Sequence, residues 1–357
     1  MASITVTSGA YPIAAPAASP TRPPVTAYAE LRRMVVAAGL LERAYGYYFG
    51  VGLRTYALFA LGLGLAWALP PTLVGTSVAS LVLGFALVQL GLLGHDAGHM
   101  GVFRSARWNW VLGEICWSLT LGVGFWNWRD RHNAHHAHTN ETAGDPEIRG
   151  MALVAFTEED AQSRQGWQRR AVGYQGTLAP ILLLLTSLAA LVLRVDGWLY
   201  AVRRVRGTRR WVEVGLLALN LAAWAFVILQ LGGHWLAVFI GSQLVAGLYL
   251  SLVAAPNHKG MPVWTRGVQL SFIERQVLSS RNLLPHPVTD FVYGGLNYQI
   301  EHHLFPTLPR VHLGRARAII QPFCEAHGLA YEEVSPLASY QAVYAELHRV
   351  ARSVREE

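Results

Sequence analysis

The chain has 357 residues, 52% of them hydrophobic and only 14% charged, against about 25% charged in an ordinary soluble domain. That excludes a plain soluble globule and leaves enough apolar residues for a core or for several membrane spans. The formal charge of +7 is almost wholly arginine, since Lys259 is the single lysine; a basic chain this apolar points to an anionic membrane face and not to nucleic acid.

Two cysteines, Cys116 and Cys324, supply neither a disulfide framework nor a thiolate metal site. Arg- and Ala-rich, lysine-poor usage suggests a GC-rich genome and so a bacterial cytoplasmic membrane. Residues 1–26 are rich in Ala, Pro, Ser and Thr, and Pro12, Pro16, Pro20, Pro23 and Pro24 interrupt any apolar helix. They read as a disordered tail, without the charged and apolar regions of a cleaved signal. Residues 27–357 read as one membrane domain.

Thr55 to Gly94 is a run of 40 residues without a charge, broken in the middle by Pro70-Pro71. Since one crossing takes about 20 residues, this is a hairpin of two spans, at about residues 52–69 and 72–94. Val214 to Pro256, broken at Gly232-Gly233-His234, is a second hairpin, with spans at about residues 212–231 and 235–255. Asn109 to Trp128 carries Glu114 and is bracketed by four tryptophans, and Leu178 to Leu193 is only 16 residues long. Both read as interfacial or re-entrant helices. The predicted fold is an all-α membrane protein with four transmembrane helices, interfacial helices and a cytoplasmic helical cap. Arg203, Arg204, Arg206, Arg209 and Arg210, with Arg32, Arg33 and Arg43, fall on the cytoplasmic side by the positive-inside bias.

Of 14 histidines, nine fall in four short stretches: His95-Asp96-Ala97-Gly98-His99, His132-Asn133-Ala134-His135-His136 with His138 beyond it, His258 after the second hairpin, and Gln299-Ile300-Glu301-His302-His303. Residues three and four apart share a helix face, so each box can aim its imidazoles at one point. The predicted ligands are His95, His99, His132, His135, His136, His258, His302 and His303. Eight nitrogens exceed what one ion accepts and suit two. Imidazole does not choose between iron, copper, nickel and zinc; all-nitrogen ligation of two metals in a membrane chain favours redox chemistry on a lipid-soluble substrate. Lone histidines such as His234, His286, His312, His327 and His348 read as structural or surface groups. His138 points off the face of its box.

The boxes HDAGH, HNAHH and QIEHH, in this order and with these hairpins, resemble the membrane fatty acid desaturase family. So do Thr139-Asn140 and Asp145-Pro146 after the second box, Ser280-Arg281-Asn282, and Gly294-Gly295-Leu296-Asn297-Tyr298 leading into QIEHH-Leu304-Phe305-Pro306. The resemblance implies a non-haem centre of two iron ions on the cytoplasmic side. It implies removal of two hydrogens from an acyl chain, bound as acyl-CoA or acyl-lipid, with O2 and two external electrons. Gln299 stands where many members have histidine, as in the front-end desaturases; it either ligates through its amide oxygen or orients a neighbour. Those enzymes commonly carry a fused cytochrome b5 domain with an HPGG motif, which this sequence lacks. A separate donor is therefore expected: a ferredoxin with its reductase, or a flavin reductase with an iron–sulfur centre. Asp96, Asn133, Asp145, Asn257 and Glu301 are candidates for hydrogen bonds that hold imidazole tautomers. The rival readings are a hydroxylase of an alkane, carotenoid or sterol using the same metal site, and a membrane metal transporter.

Overall fold

Apolar runs, proline breaks and capping side chains set the helix boundaries in the computed structural model, which describes residues 26–148, 153–265 and 267–355. The tail predicted for residues 1–26 lies outside the described residues, Thr26 excepted. The chain begins with α1 (Ala27–Ala37), α2 (Tyr45–Ala68) and α3 (Leu73–Gly98). Pro70 and Pro71 separate α2 from α3, and the Thr72 hydroxyl starts α3 by accepting from the Gly75 N–H at 3.2 Å. Next, α4 (Ala106–Glu114) runs into a π-helical stretch, Ile115–Leu121, and α5 (Phe125–Ala137) follows. Then come α6 (Glu158–Ser163), α7 (Gly166–Gly173), and α8 (Ala179–Leu185), joined by a 3-10 turn to α9 (Ala189–Arg203). The long helices α10 (Thr208–Leu231) and α11 (Gly233–His258) precede α12 (Phe272–Leu278). The C-terminal part holds β1 (Asn282–Leu283), α13 (Pro287–Val292), α14 (Gln299–Leu304), α15 (Leu313–Ala326), β2 (Glu333–Val334) and α16 (Pro336–Arg352). β1 and β2 pair in parallel, with Asn282 opposite Glu333, a small exception to an otherwise helical chain.

Five segments among the described residues are long and apolar enough to cross a membrane: α2, α3, Ala179–Arg203, α10 and α11. Four were predicted. The difference lies in the stretch read as a short interfacial helix, which continues to Arg203 and reaches 25 residues, about 37 Å at 1.5 Å per residue. A window ending at Leu193 stops before Arg194 and Asp196, and the helix does not. The helices also overrun their predicted ends: α2 starts at Tyr45, ahead of Arg54, and α10 takes in Arg209 and Arg210.

The chain divides into two compact units, one of Arg43–Asp130 and Leu184–Leu252, the other of the residues through Glu42, Arg131–Leu183 and those from Val253 onward. In the first, small residues let the long helices approach closely. A Cβ on Gly62 of α2 would lie 2.9 Å from the Leu83 Cα, and one on Gly84 of α3 would lie 2.6 Å from the Val245 Cβ and 2.7 Å from the Ser242 carbonyl of α11. Replacing Gly84 with leucine is expected to cost about 1–3 kcal/mol or more through overpacking. Thermal unfolding in detergent measures it, and an unchanged midpoint would refute this crossing.

The π-helical stretch ends at Gly122, whose φ of 70° suits glycine. Widening the helix frees carbonyls, and water is not at hand in an apolar layer to take them. Side chains take them instead. Asn220 Nδ2 donates to the Leu119 and Thr120 carbonyls at 2.9 and 3.1 Å, Arg194 donates to the Leu121 carbonyl, and Arg194 also donates to Asn220 Oδ1 at 2.6 Å. Asn220→Leu strands two carbonyls and removes an acceptor from a largely buried guanidinium, so a loss of at least about 2–3 kcal/mol is expected; yield and melting in detergent test this.

The buried Glu213 begins the helix that carries the second histidine box. Its Oε1 accepts from the Trp126 N–H at 3.0 Å and from Ser118 Oγ at 3.4 Å, while Ser118 Oγ accepts from the Phe125 N–H at 3.2 Å. A carboxylate at a helix N-terminus opposes the positive end of its dipole.

In the second unit, Leu31, Ile273, Ile300, Leu304 and Ile320 form a core in which α1, α12, α14 and α15 meet. A capping box of Ser271 and Glu274 starts α12. Every residue of α14 is buried. Asn282 holds it at two points, accepting from the Ile300 N–H at 2.9 Å and donating to Glu301 Oε2 at 2.7 Å, and the Tyr331 hydroxyl donates to Glu301 Oε1 at 2.7 Å.

Candidate metal centre

The second box lies on the last turns of α5 and the third on α14; His258 closes α11. Within the second unit these residues meet in two groups. His132, His136 and His302 form one: their Nε2 atoms lie 3.1 Å apart from His132 to His136 and 3.2 Å apart from His136 to His302. His135, His258 and His303 form the other, with ligand atoms all within 4.8 Å of one another and 3.3 Å between the Nε2 atoms of His135 and His258. The His136 ring stacks on His303 at 4.1 Å between centroids and so joins the two groups.

Hydrogen bonds decide where the protons of the second group sit. The Nδ1 of His135 faces Asp145 Oδ2 at 2.8 Å, and that of His258 faces the Ser279 carbonyl at 2.9 Å. Both partners accept, so both Nδ1 atoms carry hydrogen. Gln276 Nε2 donates to the His136 carbonyl at 2.9 Å, which turns its Oε1 to His303 Nδ1 at 2.9 Å. His303 is therefore also protonated on Nδ1. The Nε2 side of each ring is then the side left to bind a metal; at His258 it faces the Gln299 amide nitrogen at 2.8 Å, a contact that a bound metal would replace. Two imidazoles bound at right angles to one metal, at about 2.1 Å each, hold their nitrogens about 3 Å apart, close to the spacing observed. The surrounding charge has the same sense. Burial works against a charged His135, but Glu147 and Asp145 outweigh it and raise its pKa, and a field that favours imidazolium also favours a metal cation.

His95, in the last turn of α3, and His99, its C-cap, belong to the other unit, where both are buried and their ring centroids lie 4.7 Å apart. Asp96 Oδ1 lies 3.3 Å from His95 Nδ1, and Asp96 Oδ2 accepts from the Tyr48 hydroxyl at 3.0 Å.

The remaining predicted residues take varied places. Asp145 receives three donors: His135 Nδ1, the Asn140 N–H at 2.9 Å and the Glu147 N–H at 2.8 Å. Asn257 Nδ2 donates to the Leu296 carbonyl at 3.0 Å and to Gln299 Oε1 at 3.1 Å. That turns the Gln299 amide nitrogen to His258 Nε2, at 2.8 Å. As placed, Gln299 orients His258 and directs its oxygen away from the three imidazoles. Asn133 is exposed on α5, and Glu301 serves Asn282 and Tyr331 in place of a histidine. Burial pushes the Glu301 carboxyl up to about 7, against the hydrogen bonds from Tyr331 and Asn282.

His138 is exposed and faces Glu141 at 3.4 Å. Among the lone histidines, His234 bridges Thr76 and the Ala66 carbonyl, and His312 Nδ1 lies 2.7 Å from the Leu40 carbonyl. Sequence reasoning missed Gln276 and the Ser279 carbonyl as partners of imidazoles. Gln276 stands 27 residues before His303, and no spacing rule marks it.

A family model described as fatty acid desaturase matches residues 71–335. The Delta(8)-fatty-acid desaturase of Euglena gracilis is 29% identical over 337 residues, covering 90% of this chain and 79% of that protein. The acyl-lipid (9-3)-desaturase of Physcomitrium patens is 28% identical, covering 92% of this chain and 63% of its own length. A Delta 8-(E)-sphingolipid desaturase of Emericella nidulans is 25% identical, with 92% and 62% covered. These relatives are eukaryotic and lend no support to the bacterial reading of the composition.

Proposed function

The chain belongs to the fatty acid desaturase family, and from that premise we propose that it inserts a cis double bond into an acyl chain at a pair of iron ions, with O2 as oxidant. The observation that carries this reading is the gathering of the buried His135, His258 and His303, whose ligand atoms lie within 4.8 Å of one another and whose Nδ1 atoms each face an acceptor. That donor set suits a divalent metal and offers it no anionic ligand. His132, His136 and His302 are proposed to serve the second ion, with His95 and His99 assigned to the same centre from their box spacing and the family resemblance. Iron supplies the capacity to activate O2 and accept the two electrons of each turnover.

The chain's own residues do the remaining work. Asp145, the Ser279 carbonyl and Gln276 hold the imidazoles in one tautomer and keep Nε2 free of hydrogen. Helices long and apolar enough to cross a membrane suit an anchored enzyme that meets acyl-CoA or acyl-lipid at the membrane surface. Placement of one carbon pair beside the metals, with the headgroup held elsewhere, fixes which bond is oxidised. The arginines at the start of α10 favour a site facing the cytoplasm, where a ferredoxin with its reductase, or a flavin reductase with an iron–sulfur centre, delivers electrons.

Expression in a host of simple lipid composition, together with a ferredoxin and its reductase, tests the proposal by gas chromatography and mass spectrometry of total fatty acids. New monoenes or dienes that require oxygen support it. Hydroxylated products would move the chain to the hydroxylase reading, and purified protein holding zinc in place of iron after metal-balanced growth would remove the redox reading.

A further inference from the structure

A continuous run of aromatic rings leads from the basic start of α10 to the first histidine box, all within one unit. The exposed Arg209 guanidinium lies over Trp110 and Trp126, 4.4 and 4.6 Å from their ring centroids. Those two indoles meet edge to face at 5.7 Å. Trp126 touches Phe125 at 5.3 Å, Phe125 stacks on Trp128 at 6.3 Å, and Trp128 reaches His95 at 5.5 Å and His99 at 6.4 Å. Every step lies in the range of direct aromatic contact.

The backbone is shaped around these rings. A Cβ on Gly98 would lie 2.5 Å from the Trp128 ring, one on Gly113 would lie 2.4 Å from Phe125, and one on Gly94 would lie 2.4 Å from Trp117, which itself stacks on Trp128 at 4.6 Å. Trp126 donates its indole N–H to Glu114 Oε1 at 2.8 Å, which fixes the ring's orientation. Rings in contact leave short gaps between atoms, so an electron tunnels across less empty space than through loosely packed side chains or water. The outer end has a matching charge. Arg203, Arg204 and Arg206 are exposed beside Arg209 in sequence, and no acidic residue lies between Asp196 and Glu213.

We propose that an acidic one-electron carrier, an iron–sulfur or haem protein, docks at this arginine cluster and that its electrons reach the metal centre through the rings from Trp110 and Trp126 to Trp128 and His95. The inference rests on the desaturase reading and on His95 as a ligand of its centre. In each step the reduced carrier loses one electron and the metal centre gains it; no bond forms or breaks, and two steps serve one turnover. Tryptophans gathered at a membrane interface also arise simply as an anchoring belt. A belt has no reason to lead inward to a histidine box, or to place glycines beneath Trp128 and Phe125.

The test uses iron-loaded full-length protein and an acidic ferredoxin, followed by stopped-flow absorbance. Arg209→Glu is expected to lower the second-order rate constant about 10-fold at low salt, a gap that closes as ionic strength rises. Trp128→Leu is expected to slow the limiting rate at saturating ferredoxin severalfold, with half-saturation unchanged and reduction by dithionite unchanged. Trp128→Phe, which keeps a ring, falls between the two. If the leucine variant does not fold, Trp110→Leu at the outer end replaces it, with the same expectation. Equal limiting rates in wild type, Trp128→Phe and the leucine variant overturn the route, and an Arg209→Glu rate constant equal to wild type at low salt overturns the docking site. Failure of the desaturase reading is separate: that protein holds no iron that dithionite reduces, which is seen before any variant is compared.

Discussion

His303→Ala is expected to abolish desaturation and to strip metal from the purified protein while leaving the fold in place. The side chain is buried on a helix with no exposed residue, and its Nε2 belongs to the three-imidazole group with His135 and His258. Loss of a partner that merely orients a ligand lowers metal affinity about 10–100-fold, so loss of the ligand itself should exceed about 100-fold in occupancy or activity. The fold should survive because Gln276 Oε1 still accepts from Thr139 Oγ1, at 3.0 Å, and its amide still donates to the His136 carbonyl. Elemental analysis of the purified variant measures iron, and fatty acid profiles of the expressing host measure product. His138→Ala is the control, since His138 adjoins the second box but is exposed and faces Glu141 at 3.4 Å. Iron content and product equal to wild type in His303→Ala would refute the assignment of this group.

Asp145→Asn carries the second largest expectation, and it separates charge and hydrogen bonding from shape. The carboxylate accepts from three N–H groups, two on Oδ2 and one on Oδ1. An amide of the same outline has one acceptor oxygen, so in either orientation its NH2 faces at least one of those donors. If the amide nitrogen faces His135, the imidazole is driven to the other tautomer, placing a hydrogen on the nitrogen that should bind metal. If it faces the Glu147 N–H, the turn after the second box loses its closure. Metal affinity is expected to fall about 10–100-fold, and stability by about 1–3 kcal/mol, because the stranded donors are buried. Metal titration and thermal unfolding with and without metal separate the two effects. Wild-type affinity in this variant would mean that Asp145 does not hold His135.

The histidine boxes were legible because a helix makes spacing equivalent to geometry. His132, His135 and His136 share a face at three and four residues, and no tertiary information is needed to see it. The convergence of separate boxes came instead from their number, since eight imidazoles suit two ions. Partners at a distance were not legible. Asp145 was named because it lies close behind its box, whereas Gln276 and the Ser279 carbonyl reach their histidines from α12 and the turn after it. Asn133 and Glu301 sit inside the boxes, yet one faces outward from α5 and the other anchors α14 to Asn282 and Tyr331. Position in a motif does not specify which way a side chain points when its helix is rotated by packing.

The count of membrane helices shows the same division. Hydropathy located the apolar runs and the proline break between α2 and α3, because apolar burial and a missing N–H are local properties. It ended the next apolar segment at Leu193, since Arg194 reads as a charge that stops a span, whereas the helical segment runs over Ala179–Arg203. In the folded chain that guanidinium is spent on the Leu121 carbonyl and on Asn220, groups that lie elsewhere in sequence. Local chemistry thus dictated the helices, the boxes and the imidazole character of the candidate site. The tautomer of each imidazole, the orientation of Gln299 and the length of the third apolar segment were left to the tertiary fold, because each depends on a partner that only packing brings within reach.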